Sequence, residues 1–185
     1  MIASAQATQD FSFSGTNVHQ SSINGVAGCH NNVGITVTTT DHTNGTPVSH
    51  ELNGTSMLMP YDLNNDPVNA VLVVINFSTP IRNPRLAVRD IDYKAAFVPW
   101  TTYPHEWLSN LTPGYMIAPY GAFPIPVDLP AGTVTPLNGA PPADRDASCW
   151  LEWSGCHTSL SFVYNRVGQQ LGLYLDQLEF ECVCD

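Results

Sequence analysis

Lysine is almost missing from this chain: Lys94 stands alone, and Lys plus Arg total 6 against 16 Asp plus Glu, a formal net charge of -10. Binding phosphates takes a clustered basic patch, so a few scattered cations argue against a nucleic-acid partner. Charge of either sign is scarce, at 12% of residues. No apolar run approaches the roughly 20 residues that cross a bilayer as a helix, so no transmembrane segment is expected. No stretch keeps an i, i+3, i+4 apolar stripe long enough for an amphipathic helix. G-x-S-x-G, H-E-x-x-H and a phosphate-cradling glycine loop are all missing, so no enzyme is expected. The six histidines, His19, His30, His42, His50, His105 and His157, show no metal-ligand spacing and read as solvated loop residues.

What is present points to β-structure and export. The 185 residues suffice for one domain with a sizeable core. A 43% hydrophobic content with abundant Thr, Asn, Gly and Pro is unlike a disordered acidic tail. The start, "MIASAQATQDF", contains Ala5-Gln6-Ala7, a small-residue pattern like a signal-peptidase site, without the basic and apolar regions that should precede it. Residues 1–7 therefore read either as the stub of a longer precursor or as a tail. Cys29, Cys149, Cys156, Cys182 and Cys184 match no zinc spacing, and disulfides in an oxidising compartment are the better reading. Five is odd, so one thiol is left over.

Alternation recurs along the chain. "FSFSG" (11–15), "VGITVTTT" (33–40), "AVLVVINFS" (70–78), "PRLAVRDID" (84–92), "CWLEW" (149–153), "TSLSFVYN" (158–165), "LGLYLD" (171–176) and "DQLEFECVC" (176–184) read as strands. Turn signals such as Asn44-Gly45, Asn53-Gly54 and Ser154-Gly155 separate them. Ten of the 15 prolines fall between Pro99 and Pro142, which predicts long ordered loops and edge strands there, with short pieces such as "YMIA". Many short strands with close turns predict an all-β antiparallel sandwich, and the long crossing loops favour a jelly roll. In the last strand Leu178, Phe180, Cys182 and Cys184 share the core side. If that strand pairs with "VGITVTTT", Cys29 lies within reach of Cys182 or Cys184. Cys149 and Cys156 bracket a Trp-rich hairpin that they could close.

In "RLAVRDID" alternation places Leu86, Val88, Asp90 and Asp92 on one face, so two carboxylates continue an apolar row. A buried unpaired carboxylate costs several kcal/mol, so something must compensate it. Arg89, Arg85 or backbone N–H groups are the preferred answer. The other is a calcium ion held by Asp90, Asp92 and Asp176, since calcium takes 6 to 8 oxygens; it is the one cofactor these residues suggest. No catalytic dyad is expected, although Asp90, Asp92 and Glu106 are the acids a hidden hydrolase would use.

"VLVVINFSTPIRNPRLAVRDID" followed by "SLSFVYNRVGQQLGLYLDQLEF" resembles β-sandwich modules of secreted bacterial surface proteins, which show F-S-x-P, a strand ending D-I-D, and a closing G-[IL]-x-[LI]-x-D-[IL]-x-F. The likeness covers residues 35–40, 70–92 and 158–180. The chain is also similar to jelly-roll subunits of extracellular glycosylated fibrils, which insert one subunit's N-terminal segment into a neighbour. These resemblances imply an extracellular or cell-surface structural protein. Residues 1–14 are then an extension whose alternating Phe11 and Phe13 could add a strand to a neighbour's sheet, and residues 15–185 are the jelly-roll domain. Such contacts join copies head to tail and propagate as a filament. Leu72 and Val74, outward-facing and apolar, fit an assembled state. N-x-[ST] at Asn44, Asn53, Asn76 and Asn110 offers acceptors for covalent glycans. The rival reading is a carbohydrate-binding or adhesin module with Trp100, Tyr103 and Trp107 as the sugar platform.

Overall fold

The structure is a computed structural model that describes residues 8–12, 22–27, 33–53, 55–62, 68–91, 106–121, 126–129, 132–135, 147–166 and 172–182. Among these residues every regular element is a β-strand, and every ladder is antiparallel. The strands are β1 (Thr8–Ser12), β2 (Ser22–Ala27), β3 (Val33–Asp41), β4 (Val48–Asn53), β5 (Thr55–Asp62), β6 (Ala70–Ile91), β7 (Glu106–Ser109), β8 (Tyr115–Pro119), β9 (Val127–Leu129), β10 (Thr133–Thr135), β11 (Ala147–Trp153), β12 (Cys156–Arg166) and β13 (Leu173–Glu181). They form one curled sheet.

The organising element is β6. The two strands expected at 70–78 and 84–92 are one bent run. Its first half pairs with β3 and β12, and its second half with β13 and β11. Alternation buries Val71, Val73, Ile75 and Phe77 in the first half and Leu86 and Val88 in the second. Between them the register slips. Asn83 adopts a left-handed φ of 47°, and the four residues of β6 from Arg82 to Arg85 oppose the three of β13 from Glu179 to Glu181. This is a β-bulge, which bends a strand and increases its twist.

The bend is closed from the other side. Asn83 N donates to Gly155 O at 2.8 Å, and Gly155 N donates to Asn83 Oδ1 at 2.9 Å. Gly155 takes φ +88°, open to glycine without the penalty a Cβ brings. Consequently β11 and β12 do not pair with one another: both run antiparallel along β6 as a second long bent path. The two halves bury their inner faces in one cluster, in which Phe77 of the first meets Phe180 of the second at 6.2 Å between ring centroids. Each fully buried Leu, Val or Phe contributes roughly 1.5–3 kcal/mol to such a core.

Two expectations need correction here. The last strand does not pair with β3; its ladders are to β6, β5 and β1. The start of β3 and the end of β13 nevertheless follow one another along a single edge of β6, where Ile35 opposes Phe77 and Glu181 opposes Arg82. Nor do Cys149 and Cys156 close a hairpin. They lie along one continuous path on the order of 20 Å apart at about 3.3 Å per residue, far beyond the roughly 7 Å Cα separation a disulfide tolerates. Cys149 is a buried free thiol whose pKa is pushed up to about 12 by desolvation. On β13, by contrast, Leu178 and Phe180 are buried as alternation predicts, with Cys182 packed against the same cluster.

Candidate functional site

The acids that raised the question in "RLAVRDID" separate. Asp90 has φ +65°, a left-handed conformation that Asp tolerates better than most residues. Here the four residues of β6 from Val88 to Ile91 oppose the three of β11 from Ala147 to Cys149. The slip puts Ile91, not Asp90, into the core; Ile91 is fully buried and Asp90 half-buried. Asp92 lies outside the described residues.

Asp176, the third acid of the motif, belongs to a cluster on the outer face of the second half. Arg89 Nη2 donates to Asp176 Oδ1 at 2.9 Å, while its Nε side approaches Asp176 Oδ2. Tyr120 Oη donates to Asp176 Oδ2 at 2.8 Å. Arg89 thus holds the Asp176 carboxylate through one hydrogen bond and one close charge contact. Burial first, and then the hydrogen bond to Asp176, raise the Tyr120 phenol to about 12, so it remains a protonated donor at neutral pH.

The pattern repeats toward the bend. Arg85 Nε donates to Glu179 Oε2 at 2.6 Å and its Nη1 lies 3.6 Å from Glu152 Oε1. Arg82 approaches Glu181 at 3.9 Å, and Asn83 Nδ2 donates to Glu181 Oε1 at 3.1 Å. Arginines on the central strand thus face acids on its neighbours, the arrangement in which cross-strand charge pairs stabilise. Arg85 stacks over Trp150 at 4.5 Å and Arg89 lies 5.4 Å from the Tyr174 ring centre. Tyr120 meets Trp150 edge-on at 5.1 Å. The arginines therefore occupy the ring faces a sugar would need. Chemically this surface is a closed polar lattice that pins the end of β8 to β13 across β11 and β6.

The remaining expected site residues are dispersed. Glu106 is fully buried on β7, accepts a hydrogen bond from Tyr164 Oη, and lies opposite the buried Arg166 in the β7–β12 ladder. Trp107 is half-buried beside it, while Trp100 and Tyr103 lie outside the described residues. Among the described residues no three His, Cys, Asp or Glu side chains group as a metal site. Leu72 and Val74 are half-buried on the outer face of the first half, next to exposed Asn76. Asn44 and Asn110 are also exposed; Asn44 Oδ1 accepts from both the N and the Oγ1 of Thr46 at 2.8 and 2.7 Å. Asn53 is described only as backbone of β4, and Cys29, Cys184 and Phe13 fall outside the described residues.

Phe11 lies in β1, which runs along β13 with Thr8 opposite Glu181, Phe11 opposite Leu178 and Ser12 opposite Gln177. On that same edge of β13, Leu173 to Leu175 pair with β5. The N-terminal segment thus completes an edge strand of the chain's own sheet. Arg89 is one of the two arginines expected to compensate these acids, and it meets Asp176; Tyr120 does not stand out in the sequence, because it follows β8 in a proline-rich stretch far from Asp176 along the chain. No family model, curated protein or solved structure matches the chain.

Proposed function

We propose that this protein is a non-enzymatic structural subunit of an extracellular filament or surface layer, a jelly-roll sandwich of the kind found in secreted surface proteins. Copies join head to tail by inserting the N-terminal strand of one into the sheet of the next. The observation that carries this reading is β1 itself: a short terminal strand attached to the body through the outer edge of β13. Main-chain hydrogen bonds at a sheet edge give affinity without a deep pocket, and alternate side chains give register.

Two features support an exported, assembled state. We assign Cys156 and Cys182 to disulfides, which persist in oxidising compartments; both sit at the bend where β3, β6, β12 and β13 converge, and Cys29 and Cys184 are the partners this assignment leaves. Asn44, Asn76 and Asn110 are exposed, as an acceptor for a glycan has to be. Arg89 and Tyr120 already compensate Asp176, so no ion is needed at that acid.

The test is size and shape. The intact chain should form filaments by electron microscopy and run as a concentration-dependent polymer in light scattering, and a chain lacking residues 1–14 should not. An intact chain that stays monomeric at every concentration removes the filament reading.

A further inference from the structure

We propose that β1 is a self-inhibiting strand: the slot it fills on its own β13, from Gln177 to Glu181, is the same slot that accepts the strand of another copy. This deepens the filament reading and rests on it for its biological purpose. The argument begins with the ladder. Five residues of β1 pair with β13, the one strand it is paired with among the described residues. The rest of that β13 edge is held by β5, so the vacancy left by β1 would be bounded and fixed in register. A second copy's residues 8–12 can reproduce every main-chain contact of the first, because the sequence is the same. Such exchange of an identical element is a low-cost route to association.

The chain between the two strands also permits it. Residues 13–21 separate β1 from β2, and a segment of that length reaches at most about 30 Å when extended, enough to pass to an adjoining molecule. In the closed monomer, however, the tethered strand enjoys an effective concentration in the millimolar range. A free strand must compete against it, and its apparent affinity falls by the fraction of molecules with an open slot. Assembly therefore begins only when β1 leaves β13, which keeps dilute subunits apart.

The experiment uses a fluorescent peptide of residues 1–14 and three proteins: the intact chain, the chain lacking residues 1–14, and the intact chain with Asp10→Pro and Phe11→Pro. Successive N–H groups of a strand point to opposite sides, so one of the two prolines must remove a donor to β13. Anisotropy should show saturable, one-to-one binding to the truncated and the double-proline proteins, and at least about ten-fold weaker binding to the intact chain. Equal affinity for all three overturns the proposal, as does the lack of binding to open-slot proteins whose circular dichroism remains β-rich. Loss of the β-fold in both variants also overturns it, since a strand the fold requires cannot be exchanged. The filament reading fails on a different result, a monomeric intact chain, which leaves this competition measurable.

Discussion

Replacing Asp176 with Ala removes the acceptor shared by Arg89 and Tyr120, and the size of the effect follows from how buried the three groups are. The Asp176 side chain is 11% exposed and that of Arg89 30%. Breaking a fully buried pair costs roughly 3–5 kcal/mol, because the orphaned charge stays buried. Arg89 can recover part of its hydration and lean further over Tyr174, so the expected loss is about 2–3 kcal/mol. With a urea m-value of about 2 kcal/mol/M, the unfolding midpoint should fall by about 1–1.5 M. Tyr120→Phe, which deletes one hydrogen bond to a carboxylate, should cost about 1–2 kcal/mol. A double-mutant cycle of Arg89→Ala with Asp176→Ala should return a coupling of about 1–2 kcal/mol, whereas a pair of independent sites would add. The reasoning is refuted if Asp176→Ala costs under about 0.5 kcal/mol and the cycle shows no coupling. A melting temperature that rises with calcium and falls with chelator, and loses that response in Asp176→Ala, would instead restore the ion as the compensating group.

The other expectations concern titration and the bend. Cys149 should be silent to a thiol reagent in the native protein at pH 8 and react once per chain in denaturant; native reactivity would mean that the strand pairing around it is wrong. The Tyr120 phenol is raised in the folded state to about 12 from an ordinary 10, so its contribution is fully present below pH 10 and is lost as pH climbs toward 12. The stability gap between the natural chain and Tyr120→Phe should therefore shrink across that window, and a gap that held constant would count against the buried hydrogen bond. Gly155→Ala should destabilise by about 1 kcal/mol through its positive φ alone, as no atom lies within 4 Å of the added Cβ. Unchanged stability would show that the bend does not depend on that conformation.

Strand content was legible in the residues because alternation has only two phases. Val33 to Thr40 and Ala70 to Phe77 bury alternate side chains as read, and so does the Leu178–Phe180 pair. Bulges escaped because they leave no compositional mark on a strand. The shift at Asn83 needs only one residue able to take a left-handed φ, and the one at Asp90 likewise; each reverses the inside and outside assignment of everything beyond it. That is why the row Leu86, Val88, Asp90 read as core-facing while Ile91 is the residue that is buried. The pairing of β11 and β12 was misread for a related reason. Ser154-Gly155 is an ordinary turn signal, but opposite a bent strand the same dipeptide serves as a corner in a path that continues forward. Arg89 as a partner for these acids was legible, whereas the Tyr120 contact to Asp176 was not, since it joins segments distant in sequence, one of them among prolines that suggested only loops.

The bend also bears on why the β13 edge can be exchangeable while its opposite edge is not. Along β6, β13 is held by its buried side chains Leu173, Leu175, Leu178 and Phe180, and by the charge pairs at Arg82, Arg85 and Arg89. Removing β13 would expose the core shared by both halves. The outer edge, from Gln177 to Glu181, is joined to β1 through a five-residue ladder. Net main-chain hydrogen bonds contribute only about 0.5–1.5 kcal/mol each, so a ladder of that length contributes a few kcal/mol. The proposed exchange requires that β1 leave this ladder while the core shared by both halves stays intact, which the truncated chain tests directly.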